Sequence, residues 1–221
     1  FLSYMSLEKG MVVDDCSDCN RCFSSPDFHL LERCEVWNRC ECHHTHPMHF
    51  SYGSWSFERM VNDELSSFSP EEIEKRIVTQ EMINELPSVV QRWLKRSNIS
   101  GREFIQTVHL KQKGEMRIKP EGDWMRVEAE QYTSTNPPGF IWKAGVKSPF
   151  LHFSGRDKYE NGEGHMLIKL FSLIPVVDAK GKEIDQGALL RYMGEMVWYP
   201  SAALNDYIAW EEINSTTAKE P

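Results

Sequence analysis

Met125-Arg126-Val127-Glu128-Ala129-Glu130 and, a short distance on, Phe140-Ile141-Trp142-Lys143-Ala144-Gly145-Val146 are the stretches that decide the fold. In the first, apolar and charged residues alternate strictly. In the second, Phe140, Trp142, Ala144 and Val146 keep the same step. Side chains along a strand point to opposite faces in turn, so a period of two gives each segment one apolar face. Upstream, Met116 and Ile118 alternate with Glu115, Arg117 and Lys119; downstream, Met166, Ile168 and Leu170 repeat the pattern. Turn signals separate the segments: Lys113-Gly114, Pro120-Glu121-Gly122-Asp123, Asn136-Pro137-Pro138-Gly139 and Asn161-Gly162-Glu163-Gly164. Short turns between half-apolar strands imply an antiparallel meander packed on one side.

Helical patterns flank the meander. Leu86, Val89, Val90, Trp93 and Leu94 fall on one helical face. Before them, Tyr52 to about Arg76 reads as helical, and Ser69-Pro70-Glu71-Glu72 supplies a capping box with proline in the first helical position. After the strands, Asp185 is placed to cap a helix in which Leu189, Leu190, Met193 and Val197 share a face before Pro200 stops it. Tyr207 to Ile213 reads as a further strand at a sheet edge. Because edges are normally covered or blunted, further strands are expected to be missing. The fold class is α+β: a curved, half-barrel-like antiparallel sheet packed on an N-terminal helix and on a second helix near residues 186–198. The expected organisation is a Cys/His-rich segment at 1–50, a helical linker at 51–78, and an α+β domain at 79–221 truncated at its C-terminal end.

The apolar fraction of 40% and charged fraction of 26% fit a folded domain. A net charge of −8, with no Lys/Arg run longer than a dipeptide, argues against nucleic acid as a partner. No run of eighteen apolar residues is present. The chain opens on Phe1 without a signal-peptide pattern, so a fragment or a processed form is expected.

All six cysteines (Cys16, Cys19, Cys22, Cys34, Cys40 and Cys42) and five of the eight histidines lie before residue 51. Paired ligands two residues apart can bite one zinc ion from a single turn. The spacing is not a clean double Cys-x2-Cys, however, and there are more donors than one ion needs. Disulfide pairing and a shifted reading frame upstream of residue 50 compete with a metal site. No metal ligand and no cofactor is assigned.

Several short motifs occur in a fixed order. They are Leu86-Pro87 with Val90, Arg92 and Leu94; Glu128-Ala129-Glu130-Gln131-Tyr132; Pro137-Pro138-Gly139-Phe140 with Trp142; Gly155-Arg156-Asp157 with Tyr159 and Gly162; and Leu189-Leu190-Arg191-Tyr192-Met193 with Glu195, Trp198 and Pro200. Over roughly Glu81 to Ile213 this series resembles a bacterial family catalogued only as a domain of unknown function (sixty-five forty-four). The resemblance implies no reaction. It implies a membrane-anchored or cell-envelope location, because members often carry an apolar anchoring helix before the segment corresponding to Tyr52-Gly53-Ser54-Trp55. Here that place is Cys- and His-rich. The strand pattern also looks like the half-barrel of bacterial lipoprotein carriers, a fold-level likeness that carries no function by itself.

Among candidate sites, Arg191 and Glu195 are four apart and within reach of each other. By spacing alone the pair is a surface ion pair; the resemblance adds the alternative that it lines an apolar cavity. Tyr192, Trp198, Trp142 and Phe140 complete the candidate ligand-binding set, with aromatic packing in the core as the simpler reading. Asp157 is a turn residue or a catalytic acid, and Glu128 and Glu130 are paired carboxylates on a solvated strand face. There is no G-x-S-x-G, P-loop, G-x-G-x-x-G or H-E-x-x-H. The preferred reading is a binding module whose partner is a lipid or other hydrophobic small molecule. The alternatives are a hydrolase using Asp157 or Glu195 as general base, and a structural envelope domain with a filled core.

Overall fold

The computed structural model describes residues 5–7, 12–14, 48–68, 75–117, 119–148, 151–214 and 216–219. The Cys/His-rich run from Cys16 to His46 and the capping box at Ser69–Glu72 lie outside the described residues.

Six long strands follow one another in the sheet in chain order: β3 (Thr107–Met116), β4 (Met125–Thr135), β5 (Pro138–Lys147), β6 (His152–Glu160), β7 (Glu163–Leu170) and β8 (Ile174–Lys180). Every neighbour pair is antiparallel. Two three-residue strands, β1 (Met5–Leu7) and β2 (Val12–Asp14), pair with the outer side of β3. The sheet stays open, with β8 at the other edge. Between β6 and β7 the turn is Asn161-Gly162, with φ of 54° and 83°. Two left-handed residues in succession match the twist of the strands they join, which is why Asn-Gly is favoured there.

Cross-strand register sorts the side chains into rows. On one face runs Leu110, Gln131, Trp142, Asp157, Met166 and Ala179, each paired with the next. The adjacent row is Gln112, Ala129, Ala144, Gly155, Ile168 and Val177, and beyond it lie Val127, Val146, Phe153 and Leu170. The apolar positions read from the alternation in β4, β5 and β7 all point to this face.

The opposite face is covered by helix α1 (Met48–Phe68). This is the segment expected as a helical linker; it buries Phe57, Val61 and Leu65 against Ile141 of β5. Two ion pairs tie it down, Lys143–Glu58 at 2.9 Å and Arg156–Glu64 at 3.1 Å. Helix α2 (Gln80–Asn84), helix α3 (Ser88–Arg96), helix α4 (Lys182–Gly194) and two 3-10 turns (Glu195–Trp198 and Pro200–Leu204) share the first face. They build the main core over one end of the sheet, where Leu94, Phe140, Tyr159, Tyr192, Met196 and Tyr199 meet.

Four expectations need correction. Helix α4 begins after Gly181, so Asp185 does not cap it; Asp185 sits inside the first turn, and its Oδ1 accepts a hydrogen bond from the Gly164 amide at 2.8 Å. Three of the four residues of the supposed apolar face point outward: Leu189, Leu190 (72% exposed) and Val197 (60%) are exposed, and Met193 is half-buried against the main core. The inward face carries Ile184, Ala188, Arg191 and Tyr192, because Gly164 lets the helix approach β7 on that side; a Cβ there would lie 2.6 Å from the Ile184 carbonyl oxygen. Gly155-Arg156-Asp157 is not a turn but the middle of β6. Its alternation is hidden because its charged residues are buried against α1 or under α4. Finally, Glu211–Asn214 (β9) does not extend the main sheet but pairs with Thr217–Lys219 (β10) as a separate hairpin.

Candidate functional site

A row of small side chains creates the site. Ala144 and Gly155 sit between a taller row holding Val127, Val146 and Phe153 and another holding Trp142 and Met166. Helix α4 roofs the second of these rows with Ile184, Gly187 and Ala188. The space left is a groove of about 470 Å³, within the roughly 300–1,000 Å³ typical of small-molecule sites. Strand alternation sends the side chains of Arg156, Lys158 and His165 to the α1 face. There they pair with Glu64, Glu160 and Asp178 respectively. The ionisable side chains on the groove side are therefore Asp157, Arg191 and, on the first turn of α4, Glu183.

Arg191 reaches from α4 onto the Gln131–Trp142–Asp157 row. Its Nη1 donates to Asp157 Oδ2 at 3.0 Å, its Nη2 to Gln131 Oε1 at 2.7 Å, and its Nε to Glu195 Oε1 at 2.9 Å. Gln131 is fully buried; its amide donates to Thr133 Oγ1 at 3.2 Å and to Glu195 Oε2. The guanidinium also lies over two rings, 4.6 Å from the centre of Phe140 and 5.3 Å from that of Trp142. Side-chain exposure is 12% for Arg191, 18% for Glu195 and 22% for Asp157, so this is a shielded network rather than a surface pair. Burial raises the Asp157 carboxyl above its ordinary value, against the pull of Arg191 and Arg156.

The residues expected at the site divide by place. Phe140, Trp142 and Arg191 line the groove. Glu195 stands behind Arg191 and fixes its Nε. Tyr192 is buried in the core, its hydroxyl 2.9 Å from that of Tyr207, and burial pushes its phenol far up. Trp198 packs on the same core and does not line the groove. Glu128 and Glu130 belong to the opposite face, as expected for their strand alternation. Glu130 is held below the ordinary carboxylate range: burial opposes its ionisation, but the Tyr132 hydroxyl and Lys143 outweigh that.

Two members of the network escape a pattern search for apolar alternation. Gln131 continues the phase of Val127 and Ala129, and Asp157 that of Phe153 and Gly155. A polar residue in an apolar register was the available signal for each. A second polar cluster, Ser154 Oγ with His152 Nε2 at 3.3 Å and with Ser172 Oγ at 2.6 Å, faces away from the groove. Among the described residues no three His, Cys, Asp or Glu side chains are grouped to hold a metal ion, and no helix is long and apolar enough to cross a membrane.

The model of one protein family, described as "Family of unknown function (DUF6544)", matches residues 76–220. No curated protein and no solved structure matches the chain.

Proposed function

The chain belongs to the family of unknown function DUF6544, and from the geometry of the groove we propose that it is a binding module for a lipid-like ligand. The apolar chain of the ligand lies along the Ala144–Gly155 row, and its polar end meets the Arg191 network. The observation that carries this reading is the pairing of an apolar hollow with one polar end. Burial of an apolar chain supplies affinity, and a few fixed polar groups supply orientation.

The hydrolase alternative has less support. The groove lining contains no Ser, Thr, Cys or Tyr among the described residues, and both Asp157 and Glu195 are engaged by Arg191. The filled-core alternative is opposed by the hollow itself.

Filling the hollow tests the proposal. A Cβ at Gly155 would meet nothing closer than the Trp142 ring at 3.8 Å, so Gly155→Leu extends into the groove with the fold intact. The neutral fluorescent probe N-phenyl-1-naphthylamine should bind the wild type and lose at least about tenfold in affinity for this variant, a difference of about 1.4 kcal/mol. Equal binding by both proteins, at unchanged circular dichroism, would reject the groove as the site.

A further inference from the structure

Resting on that reading, we propose that the polar end of the ligand is a protonated amine, received by Asp157, and not the carboxylate of a fatty acid. Asp157 Oδ2 accepts from Arg191. Among the described residues none donates a hydrogen bond to its other oxygen, Oδ1, and Asp157 lines the groove. The groove thus holds one acceptor that the described residues leave unused. Arg191, by contrast, already donates from each of its three nitrogens to a protein partner, Glu195, Asp157 and Gln131, which leaves one further N–H on each terminal nitrogen.

Charge points the same way. The cluster holds one guanidinium and two carboxylates, a sum of −1 when both acids are ionised. Glu183 adds a further negative group on the groove lining. Of the cations nearest in sequence, Lys158 is paired with Glu160 and Arg156 with Glu64 on the far face of the sheet, so the pull of Arg156 on Asp157 is shared with a carboxylate of its own. A buried excess charge is costly unless compensated within the same low-dielectric region. An ammonium entering beside Asp157 brings the cluster to neutrality, whereas a carboxylate would carry it to −2. The ammonium also satisfies Oδ1, beside the Trp142 side chain that lines the groove. A single-chain amine is therefore the ligand class whose head-group charge this site compensates.

The test compares three probes that share one chain: decylamine, decanol and decanoate, each titrated calorimetrically below its micellar concentration near neutral pH. The wild type should bind decylamine at least tenfold more tightly than decanoate, with decanol between them. Asp157→Asn should erase the preference of amine over alcohol while leaving decanol within about threefold. Should that variant not fold, the wild-type order alone decides, and Glu195→Gln, which removes one negative charge without touching the groove oxygen, should weaken amine binding several-fold. Decanoate bound as tightly as decylamine, or more so, overturns the amine assignment and leaves the apolar groove standing. If none of the three binds, and the neutral naphthylamine probe does not bind either, the groove reading itself falls.

Discussion

Arg191 crosses over the ring of Trp142 to join Gln131 on one neighbouring strand with Asp157 on the other. The three row members belong to β4, β5 and β6, so a single side chain from α4 clamps three strands and a helix together. That relationship makes the network structural as well as a candidate binding element, and the two roles predict different things.

Replacing Arg191 with Met removes the only cation from a cluster with two shielded carboxylates. Breaking a buried pair this way typically costs about 3–5 kcal/mol. Urea unfolding near neutral pH should show a loss of that order. A loss below about 1 kcal/mol would mean that the pair behaves as an exposed one.

Asp157 gives a pH signature with a definite sign. Its folded-state carboxyl is raised above the ordinary 3.8, mainly by burial, with Arg191, Arg156 and Glu195 as its charged neighbours. The folded protein therefore binds that proton more tightly than the unfolded chain. The stabilising contribution is complete below about 3.8 and is lost as pH rises through the raised value. The stability difference between wild type and Asp157→Asn, measured by denaturant titration from pH 3.5 upward, should shift against the wild type over that interval. A flat difference would show that no raised carboxyl exists.

Gly164 sets how closely α4 lies on β7. A methyl group there would sit 2.6 Å from the Ile184 carbonyl oxygen and 3.1 Å from the Ala188 Cβ. Gly164→Ala should cost about 1–3 kcal/mol through overpacking. It should also weaken probe binding, because Ile184, Ala188 and Arg191 move with the helix. A variant as stable as the wild type would show that the helix has room to spare.

Tyr199 tests the core beneath the site. Its hydroxyl donates to the Tyr192 carbonyl at 2.6 Å in a fully buried setting. Tyr199→Phe leaves that hydrogen bond unmade and should lower stability by about 1–3 kcal/mol. Binding of the naphthylamine probe should stay within about twofold, since neither tyrosine lines the groove.

The apolar face of β4, β5 and β7 was legible because one residue in two is apolar there, and those strands carry most of the groove floor. β6 was not, since its groove side offers Phe153, Gly155, Asp157 and Tyr159 while its far side carries Arg156 and Lys158. A strand covered on both faces by helices and charge networks does not display simple alternation. The orientation of α4 was hidden for a different reason. Local periodicity favoured burying Leu189 and Leu190, but the close approach at Gly164 and the burial of Tyr192 and Arg191 decide otherwise. Such a choice depends on contacts between residues far apart in the chain. The Arg191–Glu195 pair was visible from spacing, whereas its partners Gln131 and Asp157 come from strands that spacing on one helix cannot reach.

The row of small residues in the sheet has a consequence for how a family built on it can diversify. Ala129, Ala144, Gly155, Ile168 and Val177 each come from a different strand and occupy one position each on the same transverse line, whose small members are Ala129, Ala144 and Gly155. Enlarging the residue from one strand shortens the hollow from that point. The sheet thus works as a ruler graduated in strand spacings of about 4.8 Å, on which a single substitution selects the length of chain admitted.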